Sequence, residues 1–157
     1  MKTAIVYHEK YTMYDLGEGH PFRGDRFTNT IKYFENQGLF QRPDVTLIQP
    51  EPATKQDLLR VHDEAYINHI YHLAEQNRPY DIETPVNPNI LEALMHMIGG
   101  TITAGKNVLD GTVNHAVAIG GGFHHAGRNY GGGFCLFNDI AVTIEYLRAK
   151  HGLKRAL

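Results

Sequence analysis

Residues 118–139 read AIGGGFHHAGRNYGGGFCLFND and contain two glycine triplets that flank a histidine pair. The preceding residues, 115–119, form a short and mostly apolar run that is typical of a buried strand. The following residues, 139–150, have the spacing of an amphipathic helix, with Asn138 as its N-cap and Gly152 as its terminator. The stretch therefore predicts a strand, a loop and a helix. In open α/β sheets, loops at the carboxyl ends of strands carry ligands and chemistry.

The histidine pair is the first candidate for chemistry. In a regular strand His124 and His125 would point to opposite faces, so only an irregular loop can direct both side chains at one reacting centre. Histidine titrates near neutral pH, so one ring could take a proton from water while the other stabilises developing charge. The alternative is a structural pair, with one buried histidine and one solvated loop residue. Neither glycine triplet fits the patterns GxxxxGK[ST] or GxGxxG, so nucleotide binding is not predicted.

The rest of the chain alternates predicted strands with predicted helices. Strands are predicted at 3–7 and 45–49, and helices at 28–37, 63–76 and 89–109, with a short helix opened by a capping box at 54–57. On the last helix, the predicted buried face consists of Ile140, Ile144 and Leu147. In the long helix, Gly99 and Gly100 predict close packing against a neighbouring strand. The alternation implies one α/β domain over residues 1–157, with helices on a mostly parallel sheet.

Composition excludes several classes of protein. Hydrophobic residues make up 42% and charged residues 20% of the chain, and no apolar run approaches the ~20 residues of a membrane span. The formal net charge of −2 gives no electrostatic reason to bind nucleic acid. The amino terminus lacks the pattern of a secretory signal, and the single cysteine suits a reducing cytoplasm. We therefore expect a cytoplasmic protein that binds neither nucleic acid nor membranes.

The run GGGFHHAGRNYGGGFCLFND resembles the histidine-pair motif of the zinc-dependent histone deacetylase family, which includes acetoin-utilisation proteins and acetylpolyamine amidohydrolases. The likeness extends towards the amino terminus through Tyr7-His8, the element 20–26, the segment 53–67 and Thr84-Pro85. It implies the arginase/deacetylase fold, a three-layer α/β/α sandwich, cut before its later strands. It also implies an amidohydrolase that removes acyl groups from amines such as acetyl-lysine or acetylpolyamine.

The resemblance also implies site residues. His125 corresponds to the general base that acts on metal-bound water, and His124 to its partner near the developing oxyanion. Gly133 falls where a backbone carbonyl accepts the substrate amide N–H, and Phe134 where an aromatic ring lines the substrate channel. Glu83 lies near the place of a rim aspartate that grips the substrate backbone, although this sequence has glutamate there.

In members of the family, the metal ligands follow the part of the domain that matches residues 1–157. The resemblance therefore implies a zinc enzyme whose metal ligands are missing from this sequence. Residues 154–157 should open the next strand. Because a catalytic zinc needs about three protein ligands, we expect no stoichiometric zinc and an inactive N-terminal portion. A sheet cut in this way leaves an exposed edge, so we also expect a homo-oligomer.

Two alternatives to a truncated amidohydrolase remain open. One is a naturally short, non-catalytic protein that keeps the fold and binds a ligand or oligomerises. The other makes Cys135 a nucleophile beside His124 or His125. The neighbours of this cysteine, Phe134 and Leu136, are apolar, and such a setting raises a thiol pKa and lowers its reactivity.

Overall fold

The computed structural model describes residues 1–157 and is built on a parallel sheet of three strands. The strands are β1 (Thr3–Val6), β2 (Val45–Ile48) and β3 (His115–Ala118), and their order in the sheet is β2-β1-β3. In this register Ile5 pairs with Leu47 on one side and Val117 on the other. The predicted strands are therefore confirmed, and β1 is the central one.

Five α-helices connect and cover the strands: α1 (Asp25–Asn36), α2 (Lys55–Leu58), α3 (Glu64–Glu75), α4 (Pro88–Leu109) and α5 (Asp139–His151). Two 3₁₀ turns lie at Glu9–Met13 and Leu39–Gln41. Parallel strands joined through helices confirm the predicted α/β class. No helix is both long enough and apolar enough to cross a lipid bilayer.

Local capping signals set most of the helix starts. The predicted capping box forms at α2, where the Thr54 hydroxyl accepts from the Asp57 N–H and the Asp57 carboxylate accepts from the Thr54 N–H. Asn138 caps α5 by accepting from the Ala141 N–H, also as predicted. The predicted start of α1 at Thr28 is wrong, because the helix begins at Asp25. The Asp15 carboxylate there accepts from the Gly24 N–H at 3.0 Å and anchors the first turn.

Helix α4 is the centre of the core. It contacts β1, β3, α3 and α5, and most of its apolar residues are buried. Gly99 and Gly100 do permit close packing, but the prediction of a strand as the neighbour is wrong. A side chain at Gly99 would overlap the Glu51 carbonyl in the loop after β2, and one at Gly100 would overlap the Tyr11 hydroxyl. These glycines let α4 approach the segments that follow β1 and β2.

Two expectations for the carboxyl-terminal part are wrong. Of the predicted face of α5, Leu147 is buried and Ile144 is half-buried, but Ile140 is 42% exposed, because the helix buries Val142 and Thr143 in its place. Residues 154–157 form no strand, since their backbone makes no hydrogen bond to another segment. Both edges of the sheet, at β2 and β3, are therefore unpaired.

Candidate active site

The loop between β3 and α5, residues 119–138, is held by a buried carboxylate. Asp139 is fully buried and accepts hydrogen bonds from the backbone N–H groups of Gly122 at 3.0 Å and Phe123 at 2.7 Å. It also accepts from the Thr101 hydroxyl of α4 at 2.5 Å. One side chain thus ties the histidine loop, the start of α5 and the middle of α4 together. Sequence reasoning treated Asp139 only as the first residue of a helix.

The two histidines lie side by side, with ring centroids 4.1 Å apart and planes inclined by 40°. The His124 Nδ1 atom lies 2.9 Å from the Gly122 carbonyl oxygen. Because a carbonyl only accepts, Nδ1 donates to it, and Nε2 is the ring nitrogen left for other groups. The loop geometry therefore brings both rings to one place, which a regular strand would not do.

Gly133 and Phe134 adopt left-handed backbone conformations beside the histidines, with φ values of 52° and 67°. A Cβ atom at Gly133 would lie 2.7 Å from the His125 Cδ2 atom, so only glycine lets the chain pass this closely to the ring. The Tyr14 hydroxyl donates to the Phe134 carbonyl at 2.6 Å, and burial raises the pKa of this tyrosine. The His20 ring packs edge-on against the Phe134 ring, with centroids 4.5 Å apart. The loop after β1 therefore fixes the Phe134 position.

A cavity of about 290 Å³ lies beside these residues. Four of the five predicted site residues, His124, His125, Gly133 and Phe134, line its wall. Apolar and glycine residues form most of the rest of the wall: Phe22, Phe27, Ile119, Gly120, Gly121, Gly122, Phe123 and Cys135. Arg26 adds a positive charge, with its guanidinium 4.7 Å from the centre of the Phe22 ring. The cavity is small and mostly apolar, and its polar side chains are the histidine pair and Arg26.

Glu83, the fifth predicted residue, does not line this cavity. It is exposed in a turn in which its N–H donates to the Asp81 carboxylate at 3.0 Å. The same loop nevertheless reaches the site, because the Gly131 N–H donates to the Tyr80 hydroxyl at 2.9 Å. Tyr80 was not singled out from the sequence, and no spacing pattern marked it.

Cys135 is poorly placed as a nucleophile. Its side chain is buried, and burial raises the pKa of the thiol. Its sulfur lies 3.4 Å from the Gly133 carbonyl, to which the thiol donates. A buried thiol held in its protonated form is a weak nucleophile, so the cysteine-hydrolase alternative loses support.

The residues present do not fit a catalytic zinc ion. No group of three or more His, Cys, Asp or Glu side chains in the chain is arranged to hold a metal. A catalytic zinc requires about three protein ligands and one open position. The chain therefore supplies a histidine pair and a cavity wall, but no metal centre of its own.

The sequence profile described as "Histone deacetylase domain" matches residues 20–157, which is most of the chain. The chain belongs to the histone deacetylase family. Similar family members include the acetoin utilization protein AcuC of Bacillus subtilis strain 168, with 31% identity over 161 residues. Another is the Archaeoglobus fulgidus protein named "Probable deacetylase", with 30% identity over 156 residues. These comparisons confirm the family predicted from the histidine-loop motif.

This histone deacetylase family chain spans less than half the length of those relatives. The two alignments cover 97% and 99% of the chain but 41% and 43% of the relatives. A solved HDAC homologue in complex with SAHA superposes with a TM-score of 0.84 at 29% identity, and covers 96% of this chain and 42% of that one. The HD domain of HDA15, with a TM-score of 0.85 at 23% identity over 96% of this chain and 44% of that one, shares the fold. The predicted fold class is therefore confirmed.

Proposed function

We propose that residues 1–157 are the histidine-bearing portion of an amidohydrolase domain that hydrolyses acyl-amine amides such as acetyl-lysine or an acetylpolyamine. One observation carries this proposal: His124, His125, Gly133 and Phe134 line a single cavity. Membership of the histone deacetylase family supports the reaction class. A cytoplasmic location, supported by the single free thiol of Cys135, is part of the same proposal.

The proposed roles are those that the family resemblance implies, and the position of both rings on the cavity wall supports them. His125 takes a proton from the attacking water, and general-base assistance of this kind contributes about 10²–10⁴-fold to a rate. His124, whose Nδ1–H donates to the Gly122 carbonyl, takes a second proton at Nε2, and the resulting N–H stabilises developing negative charge. The ring pair is close enough for the charge of one to influence the other.

Substrate positioning falls to the glycine loop. The Gly133 carbonyl accepts the substrate amide N–H, and the Phe134 ring packs against the apolar arm of an acyl-lysine-like group. The Tyr14 hydroxyl and the His20 ring hold Phe134 in place from the loop after β1. Glu83, in the exposed turn outside the cavity, contacts the substrate at the rim.

The chain alone is proposed to be inactive, because its own residues do not fit a metal site. The first test is elemental analysis of the purified chain together with turnover of a fluorogenic acetyl-lysine peptide in added zinc. The expected result is zinc well below one equivalent and no turnover. Stoichiometric zinc with turnover that His125→Ala abolishes would show that this chain builds a complete site by itself.

The positive test uses a chimera in which residues 1–157 replace the matched segment of the Archaeoglobus fulgidus relative. The folded chimera should release acetate from the acetyl-lysine peptide or from an acetylpolyamine. His125→Ala should then lower kcat by about 10²–10⁴-fold. His69→Ala, on the exposed face of α3, is the matched control and should leave kcat unchanged. A folded, zinc-loaded chimera that turns over neither substrate would contradict the proposal.

A second candidate, a short non-catalytic protein that oligomerises, is favoured by the unpaired strands at both sheet edges. It predicts a stable oligomer together with an inactive chimera. The amidohydrolase proposal predicts an active chimera whatever the oligomeric state of the chain.

A further inference from the structure

His62 lies just before α3 and is almost fully buried, although it is ionisable. Its ring lies against the rings of Phe137, with centroids 5.2 Å apart, and Tyr66, with centroids 5.8 Å apart. Neither the cavity wall nor the catalytic roles proposed above include it. A buried imidazole usually has a hydrogen-bonding partner that explains its presence.

That partner is the backbone of the histidine loop. The Asn138 N–H donates to His62 Nε2 at 3.0 Å. Because Nε2 accepts, the ring is neutral and its proton sits on Nδ1. Nδ1 is buried without a hydrogen-bond partner, and the backbone of Gly127 and Arg128 lies beside it. The ring thus lies between residues 127–128 of the loop and its last residue, Asn138.

Neighbouring hydrogen bonds involve the same two parts of the loop. The Asp63 N–H donates to the Arg128 carbonyl at 3.0 Å, and the Asp63 carboxylate pairs with the Arg128 guanidinium at 2.7 Å. The Asn138 side chain donates to the Ala126 carbonyl at 3.0 Å and caps α5 through its oxygen. Ala126 directly follows His125 in the chain, so any shift of Asn138 is transmitted to the histidine pair.

We propose that neutral His62 is a positioning residue that fixes the loop carrying His124 and His125 by accepting the Asn138 N–H. The hydrogen bond itself does not depend on the proposed function. Only its consequence for catalysis rests on the role of His125. Phenylalanine could fill the same apolar space, so what distinguishes this role from packing is the acceptor atom.

Protonation of His62 would break the bond, because an imidazolium has no acceptor. Burial lowers the pKa of His62, and the backbone of Arg128 and Gly127 and the charge of Asp63 act weakly in the other direction. The other charged or titratable groups around the ring are Arg128, which pairs with Asp63, and Tyr66, whose pKa burial raises. None of them replaces the lost acceptor, so the loop should loosen in acid.

The test uses the 157-residue chain and ¹⁵N NMR. In the wild-type chain His62 should show the Nδ1–H tautomer, and the Asn138 amide should be protected from hydrogen exchange at neutral pH. On acidification the Asn138 amide resonance should shift, and its protection should be lost, in one transition that coincides with His62 protonation, below the ordinary histidine value of about 6.5. An Nε2–H tautomer would overturn the proposal. So would an Asn138 amide that stays protected after His62 is protonated.

Two variants separate the acceptor from the packing. His62→Gln places an oxygen near the Nε2 position and cannot be protonated, so it should keep the Asn138 amide protected and abolish the acid transition. His62→Phe keeps the bulk without the acceptor and should speed exchange of the Asn138 amide by at least about tenfold. His69→Gln, at an exposed position of α3, is the control and should change neither. Equal protection in the Gln and Phe variants would contradict the proposal.

The wild-type tautomer and titration need no variant, so the proposal stays testable if His62→Phe fails to fold. None of these measurements needs turnover. If His62 protonation releases the Asn138 amide but the chimera is inactive, the positioning role is supported and the amidohydrolase function is contradicted. If the chimera is active and its His62→Phe and His62→Gln variants have the same kcat and pH profile, the amidohydrolase function is supported and the positioning role is contradicted.

Discussion

The carboxylate of Asp139 accepts a hydrogen bond at 2.7 Å from the backbone N–H of Phe123, which lies 16 positions earlier in the chain. The same carboxylate accepts from Gly122 and Thr101, so three donors converge on one buried group. A buried anion is stable only when hydrogen bonds replace its hydration, and these three donors do so at the start of a helix, where the dipole also favours negative charge. The base of the histidine loop is therefore an electrostatic anchor.

Replacing that anchor should loosen the loop and destabilise the chain. Asp139→Asn leaves one acceptor oxygen for three donors and turns an NH₂ group towards some of them. We expect the free energy of unfolding to fall by about 1–3 kcal/mol, measured by urea denaturation. Thr101→Val, which removes one donor, should cost less, and Thr101→Ser should be close to wild type. Equal stabilities for Asp139→Asn and wild type would show that the carboxylate charge is not needed.

Gly133 should tolerate no side chain. Gly133→Ala forces an L-residue to a φ of 52° and brings its Cβ to within 2.7 Å of the His125 ring. The backbone conformation alone costs about 1–2 kcal/mol, and the overlap must displace the imidazole. We expect changed ¹⁵N resonances of His125 in the chain and lost turnover in the chimera.

Gly152→Ala is the control for this glycine, because its φ is 70° and nothing lies within 4 Å of the added Cβ. It should lose stability by the backbone cost alone and leave the His125 resonances unchanged. Identical His125 spectra for the two variants would contradict the contact that the structure places at Gly133.

Acid should destabilise the chain through two buried histidines. Burial lowers the pKa values of His62 and His96, and the charges of His8 and Lys10 lower that of His96 further. In the unfolded chain both rings bind protons near pH 6.5, whereas in the folded chain they remain neutral to a lower pH. The unfolded state therefore binds more protons in that window, and stability must fall as the pH drops below about 6.5. Thermal unfolding between pH 7.5 and 5 should show this decline, and His62→Gln should reduce its slope.

Sheet edges should drive self-association. Both β2 and β3 lack an outer partner. Leu47 on β2 and Val117 on β3, which flank Ile5 of the central strand, expose 46% and 49% of their surface. Unpaired strands with apolar side chains favour pairing with another copy. Sedimentation of the chain at tens of micromolar should show a dimer or larger species.

Lysine on an exposed strand opposes such pairing. Val117→Lys should reduce association if copies meet at β3, and Leu47→Lys should do so if they meet at β2. A clean wild-type monomer at the same concentration would contradict the prediction that either edge mediates association.

Much of the fold was predictable because its signals are local. The apolar runs of β1 to β3, the capping box at Thr54 and the left-handed terminator at Gly152 each depend on residues that are neighbours in sequence. The stripe of Tyr66, Ile67, Ile70 and Leu73 on α3 is buried as its spacing indicates. On α5 the prediction is correct for Leu147 but wrong for Ile140, because the helix packs on α4 with Val142 and Thr143 buried and Ile140 exposed.

In the candidate site, too, the local features were predictable from the sequence and the contacts between distant segments were not. The motif of residues 120–139 by itself determined the family and named the histidine pair, Gly133 and Phe134, because their order along the chain carries that information. Only the tertiary structure decided that Asp139 holds Phe123 and that His62, 76 residues away, accepts from Asn138. Hydrogen bonds between segments so distant in sequence depend on how helices and strands pack, and no local spacing encodes that packing.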